Sequence, residues 1–238
     1  MIALSWSRLS TYQQCARKFH LAYISKSFPT EEKSIHLIKG EQLHKQLEDY
    51  VIAKNGQGVM PLGFSPEVRN ALPYVDKLFE NFTSVHPEAQ VACDINWKPT
   101  EWFGKDTAWR AIWDVAGLSP NIVYIGDWKS GKVHPYGDGF GQLHLSAAIG
   151  LKRWDNVPEI NCSYVYIEHQ KVHPIKVVRE AGRVDAKGVA IPDLDTVINH
   201  FNNEFEKVQM EKMWEPKANE YCKWCPATKA QCKFSRKL

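Results

Sequence analysis

The spacing of apolar residues along the chain predicts a succession of helices and strands. An apolar residue at every third or fourth position is typical of a helix that buries one face, and a short run of Val, Ile and Trp is typical of a strand. Helices are therefore predicted at about residues 5–24, 34–54, 65–82, 139–154 and 192–213. Strands are predicted at about residues 90–97, 107–116, 121–128, 159–168 and 172–179.

The order of these elements predicts an α/β fold. Helices come first, three strands and a helix follow, and two more strands precede the last helix. The turn residues from Gly117 to Asn121 indicate an antiparallel meander, so we expect a mixed central β-sheet flanked by helices on both faces. A chain of 238 residues with 44% hydrophobic content can bury such a core as one domain.

Composition and charge narrow the class of protein. The sequence has no apolar run long enough for a membrane span and no signal-peptide pattern at Met1, so we expect a cytoplasmic protein without membrane contact. The net charge is +3, but residues 1–33 carry +3 and residues 207–238 carry +5, which leaves −5 between them. Basic ends around an acidic middle suit a protein that holds a polyanion near a carboxylate-bound metal, and a solvated basic tail explains the charge equally well.

The end of the third predicted strand carries an acid and a lysine two residues apart. Because strand side chains alternate between faces, Asp127 and Lys129 point to one side and Trp128 to the other. Such charges are costly to desolvate unless they pair or bind something, so either a metal ion or a surface salt bridge explains them. Asp114 lies near the end of the preceding strand, and hairpin pairing can place its carboxylate beside that of Asp127.

Two neighbouring carboxylates repel each other unless a cation lies between them. Oxygen ligands of this kind suit Mg²⁺ or Mn²⁺, and the backbone carbonyl of Trp128 is placed to serve as a further ligand. His44 would add a nitrogen ligand that favours Mn²⁺, although a histidine on a helix also serves structural roles. Lys129 could then orient or deprotonate a water molecule, or neutralise charge on a phosphate.

The cysteines near the end of the chain have the spacing of metal ligands. Cys222, Cys225 and Cys232 lie close together in the sequence, and three such thiolates converge readily on one metal. A tetrahedral site needs a fourth ligand, and Cys15 is the candidate. Four cysteines alone do not separate zinc from an iron–sulfur cluster, and unligated thiols are a further alternative.

Several of these residues fall into motifs of a known family. The motifs are an N-terminal signature at Leu4–Cys15, Gly-x-x-x-His at Gly40–His44, an aspartate at Asp114, Asp-x-Lys at Asp127–Lys129 and the glutamine of a helix motif at Gln142. In these motifs and their order, over nearly its full length, the chain resembles the RecB-type members of the PD-(D/E)XK nuclease superfamily.

The resemblance implies a restriction-endonuclease-like core and a metal-dependent deoxyribonuclease. By this resemblance His44, Asp114 and Asp127 would bind the divalent metal. Lys129 would be the catalytic lysine, and Gln142 would help to position the scissile phosphate or the lysine.

The sequence departs from the family pattern at two positions. The glycine expected three residues before Asp114 is Ala111, and the tyrosine of the helix motif is Ser146. These changes remove no metal ligand, but they put in doubt the close approach of the strand at Ala111 and the contact that the tyrosine would make. His144 or Tyr136 could substitute for the tyrosine, and a core or solvent role is the alternative for either.

The resemblance extends to the cysteines. In the iron–sulfur branch of the superfamily, which includes AddB-like and CRISPR-adaptation nucleases, one N-terminal and three C-terminal cysteines hold a [4Fe–4S] cluster. The resemblance implies the same cluster at Cys15, Cys222, Cys225 and Cys232, with Zn²⁺ as the alternative. Residues 1–33 and 207–238 would then form a lobe that joins the chain ends within a single domain, 1–238.

We therefore expect a DNA nuclease, and an exonuclease on DNA ends or single strands rather than an endonuclease. A structure-specific endonuclease and a non-catalytic DNA-binding subunit are the alternatives. If the cluster joins the chain ends, basic residues would line a path for the strand, namely Arg8, Arg17, Lys18 and Lys223. Trp6 or Trp224 could stack on an unpaired base. Such a nuclease would suit DNA repair or recombination, or a phage, and its protein partners are not predicted.

Overall fold

The computed structural model describes residues 1–28, 33–133 and 139–236. Its helices are α1 (Trp6–Gln14), α2 (Ala16–Phe19) continued by a π-helix (His20–Ile24), α3 (Ile35–Lys54), α4 (Pro66–Asn81), α5 (Gln142–Arg153), α6 (Leu194–Met210) and a 3₁₀ helix (Glu220–Trp224). Its strands are β1 (Ser84–Cys93), β2 (Trp109–Ser119), β3 (Ile122–Lys129), β4 (Glu159–Tyr166) and β5 (Lys171–Val178). In this part of the chain, no helix combines the length and apolar character that crossing a bilayer requires.

The five strands form one mixed sheet in the order β1-β2-β3-β4-β5. Strands β1, β2 and β3 pair antiparallel, β4 pairs parallel to β3, and β5 pairs antiparallel to β4. Parallel neighbours need a crossover connection, and α5 lies in the connection between β3 and β4. The predicted α/β class with a mixed central sheet is confirmed.

Apolar side chains cover both faces of the sheet. On one face, residues of α1, α5 and α6 pack around the fully buried Trp109 and Trp113. On the other face, residues of α3 and α4 pack over Val115 and Trp128. The two clusters explain why helices flank both sides, since each face offers an apolar surface that water would otherwise contact.

The first predicted helix is interrupted at Cys15. Its backbone is extended, with φ −167° and ψ 115°, and α1 ends there while α2 begins at the next residue. Apolar Leu9 in α1 and Phe19 in α2 pack in the same core, so the periodic pattern continues across the break and did not indicate it. The interruption places the thiol of Cys15 3.5 Å from the backbone N–H of Lys217, close to the other end of the chain.

Strand β1 lies six residues earlier than its predicted start at residue 90, and it ends at Cys93 rather than at residue 97. The side chain of Asp94 ends the strand, because its Oδ1 accepts hydrogen bonds from the N–H groups of Asn96 and Lys98, both at 2.8 Å. The early part of β1 contains Pro87, which lacks a backbone donor and is tolerated because β1 is an edge strand.

The turn between β2 and β3 is shorter than predicted. Ser119 pairs with Ile122, so only Pro120 and Asn121 connect the two strands, and Gly117 lies within β2. A Cβ at Gly117 would lie 2.6 Å from the ring of Phe82, so glycine is needed there for close packing rather than for a turn.

The N-terminal segment is tied to the sheet before α1 begins. Leu4 pairs with Trp109 at the start of β2, and its N–H donates to the carbonyl of Ala108 at 2.7 Å. The carbonyl of Leu4 accepts a hydrogen bond from the N–H of Arg110 at 2.8 Å. These bonds hold the first turn of α1 beside β2.

Candidate active site and metal centre

A cleft of about 720 Å³ opens between α3, the first turn of α1 and the sheet. Its walls carry several of the residues that the sequence motifs single out. Those that bear charge or hydrogen-bonding groups include Arg8, His44, Glu88, Arg110, Asp114 and Gln142.

Helix α3 reaches the cleft because Gly40 lets it pass close to the residue after β3. A Cβ at Gly40 would lie 2.9 Å from the hydroxyl oxygen of Ser130, so a larger residue would require this hydroxyl to rotate away. His44 lies one helical turn later on the same face of α3. Its Nδ1 is 3.5 Å from Oδ2 of Asp114, and its ring is hydrogen-bonded to the backbone of Trp128.

Asp114 lies on β2 where backbone pairing with β3 stops. The last pair is Val115 with Gly126, and beyond it the N–H of Trp128 donates to Oδ2 of Asp114 at 2.7 Å. The carboxylate therefore accepts a hydrogen bond that a strand carbonyl would otherwise take. This bond fixes the Asp114 side chain in the cleft.

Glu88 on β1 is a site residue that the sequence motifs did not indicate. The pairs Pro87 with Val115 and Ala89 with Trp113 place Glu88 across from Asp114, and its φ of 46° lies in the left-handed region. One ligand atom from each of His44, Glu88 and Asp114 lies within 4.8 Å of the other two. Because β1 was predicted to start at residue 90, the position of Glu88 was not foreseen.

Lys129 is held by three groups at the end of β3. Its Nζ lies 2.5 Å from Oδ1 of Asp127, donates to Oε1 of Gln142 at 3.2 Å, and lies 5.0 Å from the centre of the Tyr164 ring. Nε2 of Gln142 donates to Oδ2 of Asp127 at 2.5 Å, so both oxygens of that carboxylate are engaged. The ion pair agrees with the alternation of strand side chains, which places Asp127 and Lys129 on one side.

The two aspartates are contacted from different directions. Asp114 is approached by His44 of α3, whereas Asp127 is contacted by Gln142 of α5 and by Lys129. Their strands are neighbours, as predicted, but Asp127 is not part of the His44, Glu88 and Asp114 group. Trp128, which lies between Asp127 and Lys129 in the sequence, contacts the other group: its N–H donates to Asp114 and its backbone is hydrogen-bonded to His44.

Burial sets the ionisation of this site. Loss of contact with water raises the pKa of Asp114, and the negative charge of Asp127 raises it further. Burial also raises the pKa of Asp127 and of Glu88, although the Lys129 ammonium opposes the effect at Asp127. Burial lowers the pKa of His44. Three acidic groups whose charged forms are disfavoured, next to a neutral imidazole, are the donor set that a divalent cation would stabilise.

The four predicted cluster cysteines line one small cavity near the chain ends. Cys15 comes from the break between α1 and α2, and Cys222, Cys225 and Cys232 come from the last segment of the chain. In the described residues no three of their sulfur atoms lie within 4.8 Å of one another.

The predicted DNA-binding residues fall into two places. Arg8 lies in the cleft, whereas Arg17 and Lys18 on α2 line the cysteine cavity. Lys223 lies on the 3₁₀ helix that carries Cys222, with its Nζ 3.9 Å from the centre of the Trp224 ring. Trp6 lines the cleft, and Trp224 is 64% exposed.

The two residues that depart from the family pattern, Ala111 and Ser146, lie in a strand and in a helix of the core. Ala111 pairs with Val91 within β2 and lines the cleft, and Ser146 is buried in α5. Nδ1 of His144 accepts a hydrogen bond from the N–H of Gly141 at 3.1 Å, so this ring lies at the start of α5. Tyr136 lies outside the described residues.

Comparisons with known proteins bear on part of the chain. The model of the PD-(D/E)XK nuclease superfamily matches residues 3–117, which include His44, Glu88 and Asp114 and end before β3. No curated protein matches the sequence. The crystal structure of SSO0001 is similar over 89% of this chain and 91% of that chain, with 14% sequence identity and a TM-score of 0.34.

Proposed function

Since residues 3–117 match the PD-(D/E)XK nuclease superfamily, we propose that the protein is a metal-dependent nuclease that hydrolyses phosphodiester bonds of DNA. The observation that carries this proposal is the half-buried group of His44, Glu88 and Asp114 in the same cleft as Gln142, which contacts Lys129. We further propose an exonuclease acting on DNA ends or single strands.

The divalent ion, Mg²⁺ or Mn²⁺, would be held by the half-buried carboxylates of Glu88 and Asp114 and the imidazole of His44. His44, Asp114 and Glu88 fit this role because their ligand atoms already lie close together and burial disfavours their unneutralised charge. Asp127 and the carbonyl of Trp128, which the sequence analysis assigned as ligands, adjoin the group. When bound, the metal supplies Lewis-acid chemistry: it lowers the pKa of a water molecule and neutralises charge on the phosphate.

Lys129 and Gln142 would orient the reacting groups. Asp127 and Gln142 hold the ammonium of Lys129 in one position, so its positive charge does not have to be repositioned during the reaction. From that place it would attract a non-bridging phosphate oxygen or orient the attacking water. Gln142 holds both side chains in place, because its carbonyl oxygen accepts a hydrogen bond from Lys129 and its amide nitrogen donates one to Asp127.

The test is cleavage of an end-labelled oligonucleotide with Mg²⁺ or Mn²⁺. We expect Asp114→Asn and Lys129→Gln to reduce the rate by about a hundredfold or more, because each removes a preorganised charge at the reacting phosphate. Asp106→Asn, a change at an exposed acid outside the cleft, is the matched control and keeps the rate. Cleavage by Asp114→Asn at the rate of the unaltered protein would rule out the proposed site.

The mode of cleavage is tested by comparing linear DNA with covalently closed circular single strands. An exonuclease needs an end, so we expect mononucleotides or short products from the linear strand and no cleavage of the circle. Cleavage of circles or of branched junctions would favour the alternative, a structure-specific endonuclease. If the protein binds DNA but cuts neither substrate with either metal, it is a non-catalytic DNA-binding subunit rather than a nuclease.

We also propose that Cys15, Cys222, Cys225 and Cys232 hold a [4Fe–4S] cluster, with Zn²⁺ as the alternative, which would place the protein in the RecB-like iron–sulfur branch. Support comes from the cavity that all four line.

The cluster is tested by anaerobic purification followed by absorption spectroscopy and measurement of iron, sulfide and zinc. A brown protein with about four irons per chain supports the cluster. A colourless protein with stoichiometric zinc would show that the four cysteines hold Zn²⁺ instead. Cys15→Ala should lose the metal, while Cys162→Ala, at a fully buried position on β4, should retain it. We also propose that Arg17, Lys18 and Lys223, which lie near the four cysteines, bind DNA.

A further inference from the structure

Two arginines from different elements face the cleft that holds the acidic group. The pairing of Leu4 with Trp109 fixes the start of α1 beside β2, and Ser5 caps α1 by accepting a hydrogen bond from the N–H of Arg8. Arg110 follows directly on β2 and donates its backbone N–H to Leu4. Arg8 and Arg110 therefore line one wall of the cleft together.

Neither guanidinium has an acidic partner. No ion pair of the described residues includes Arg8 or Arg110. Nε of Arg110 is buried and has no hydrogen-bond acceptor in the described residues, and Nη1 of Arg8 donates to the backbone carbonyl of Ala3 at 2.8 Å. Burial lowers the pKa of Arg110, and the positive charge of Arg8 lowers it further. Two like charges with unused donors form a place where an anion would be stabilised.

Aromatic rings hold the Arg110 side chain in position. Its guanidinium carbon lies 5.5 Å from the centre of the Trp102 ring and 5.3 Å from that of Phe103. Stacking on rings orients the planar fork of an arginine, and this fork matches the geometry of a phosphate. Phe103 is 84% exposed, which leaves one large apolar ring next to the paired charges. A base stacked on an aromatic ring is a common contact of single-stranded nucleic acid.

The arginine pair is separate from the acidic group along the same strand. Arg110 and Asp114 are four residues apart on β2 and share the cleft. Strand geometry puts their Cα atoms at about 13 Å from each other. The Arg110 guanidinium lies against Trp102 and Phe103, which precede β2, and not against Asp114, so we take a phosphate held by the arginines to be a different one from a phosphate that meets Asp114.

We propose that Arg8 and Arg110 form a phosphate subsite that binds the nucleic-acid strand by a phosphate other than the one cleaved, with Phe103 against the adjoining nucleotide. The subsite rests on the proposed nuclease function for its substrate class. It sets how the strand lies across the cleft and takes no part in bond cleavage.

The test measures binding of a fluorescein-labelled single-stranded oligonucleotide by anisotropy, with Ca²⁺ in place of Mg²⁺. We expect Arg110→Gln and Arg8→Gln each to weaken binding about tenfold and to reduce the slope of log K against log salt by about 1. Arg110→Lys keeps the charge but loses the fork, and should recover only part of the affinity. The matched control is Arg153→Gln, because Arg153 also stacks on a tryptophan, Trp154 at 5.8 Å, but lies outside the cleft lining.

Two further readouts separate a phosphate subsite from a structural role. If both arginines hold one phosphate, the double variant should weaken binding by less than the product of the two single effects. In the cleavage assay the variants should raise KM and leave kcat within about twofold, since the lost contact is equal in the ground and transition states. Thermal melting of each variant checks that the fold is retained, and Arg8→Gln, on the first turn of α1, tests the same subsite if Arg110→Gln is unfolded.

The source of the phosphate is decided with oligonucleotides that carry a 5′-phosphate, a 5′-hydroxyl or a 3′-phosphate. If removal of one terminal phosphate costs as much affinity as Arg110→Gln, the subsite takes a strand end, and if no terminal phosphate matters it takes an internal one. Binding by Arg110→Gln and Arg8→Gln equal to that of Arg153→Gln overturns the subsite even if the protein cuts DNA. Failure of the unaltered protein to cut with Mn²⁺, together with arginine-dependent binding, overturns the nuclease proposal and leaves the subsite standing.

Discussion

Asp114, Asp127 and Glu88 are three carboxyl groups in one poorly hydrated place, and each has a raised pKa. Because the pKa of Asp114 is raised to about 8, this carboxyl group binds a proton near neutral pH that a cation would have to displace. If these acids hold the proposed metal, they also set the pH dependence of its binding. Lys129 compensates Asp127 most strongly, because its Nζ contacts that carboxylate directly, and its charge also opposes the rise in the pKa of Asp114.

The first prediction concerns proton release by the metal. Mn²⁺ binding should release protons between about pH 6 and 8 and should tighten as pH rises, since the ligands bind metal only when deprotonated. The measurement is isothermal titration calorimetry of Mn²⁺ in two buffers of different ionisation enthalpy. Asp114→Asn should release fewer protons and Asp106→Asn the same number. An apparent enthalpy independent of the buffer would contradict the raised pKa values.

His144 provides the second prediction, on stability against pH. Burial lowers its pKa to about 4, with a smaller effect from His200. Because the pKa of His144 is lower in the folded protein than in the unfolded chain, the unfolded chain binds the proton at a higher pH. The contribution of neutral His144 to the free energy of unfolding is therefore complete above about pH 6.5 and is lost as the pH falls toward 4. The loss attributable to His144 should be about 2 to 3 kcal/mol.

The measurement compares urea unfolding of His144→Asn with that of the unaltered protein at pH 4.5 and pH 7.5. Asparagine keeps an acceptor for the N–H of Gly141, so the variant should lose less stability on acidification. His169→Asn, at an exposed histidine, is the control and should follow the unaltered protein. Equal acid sensitivity of all three proteins would show that His144 does not set the dependence.

At the scale of single residues, the sequence predicts what strand alternation and motif spacing determine. Asp127 and Lys129 were expected on one side and form an ion pair, and Asp114 was expected on the neighbouring strand. Glu88 and Arg110 were not foreseen, because their roles depend on tertiary pairing of β1, β2 and the N-terminal segment. Periodicity describes one element and carries no information about which element lies across from it.

At the scale of elements, β1 brings Glu88 to the cleft by a backbone conformation that a strand rarely adopts. A left-handed φ at a residue with a side chain costs free energy, and such strain collects at functional sites. Gln90, two residues later, pairs normally with Ile112. One strand therefore offers both a strained and an unstrained position for comparison.

The third prediction uses glycine at these two positions. In metal-free protein Glu88→Gly should leave stability unchanged or raise it by up to about 1 kcal/mol, because glycine accepts a left-handed φ. Gln90→Gly should lower stability by about 0.5 to 1 kcal/mol, as glycine does in an ordinary strand. Chemical denaturation in EDTA measures both, and Glu88→Gly should also weaken Mn²⁺ binding. A loss of stability at Glu88 equal to that at Gln90 would contradict the strained conformation.

The boundaries of elements were predicted less well than their order, and local side-chain chemistry explains the differences. Asp94 ends β1 by bonding two backbone N–H groups, and the break at Cys15 occurs inside an unbroken apolar pattern. The end of β1 depends on hydrogen bonds of one side chain, and the break at Cys15 on the backbone conformation of one residue. The mixed sheet with helices on both faces follows from the order of strands and helices, which the apolar pattern does show.

At the scale of the whole molecule, the two ends of the chain meet around the cysteine cavity. Nδ2 of Asn219 donates to the carbonyl of Gln14 at 3.0 Å, and Nε2 of Gln231 donates to that of Ser27 at 2.7 Å. The 3₁₀ helix has no buried residue, so few apolar contacts hold it in place, whereas Trp214, which precedes it, stacks on the core residue Phe19 at 5.6 Å. The family resemblance implied that a metal cluster on Cys15, Cys222, Cys225 and Cys232 joins the ends. These four cysteines line one cavity, and the cluster stays a prediction.

The last prediction follows from that weak attachment. If a metal group joins the ends, its removal should free the residues after Trp214, 215–236, while Trp214 and the sheet stay folded, because metal binding supplies free energy that the 3₁₀ helix does not gain from apolar burial. Limited trypsin digestion should cut Cys15→Ala in this segment at least about ten times faster than the unaltered protein and leave a stable core fragment. Cys162→Ala keeps all four cavity cysteines and should be cut slowly. Equal cutting rates would mean that the hydrogen bonds of Asn219 and Gln231 hold the ends by themselves, and that the cysteines contribute nothing to the joining.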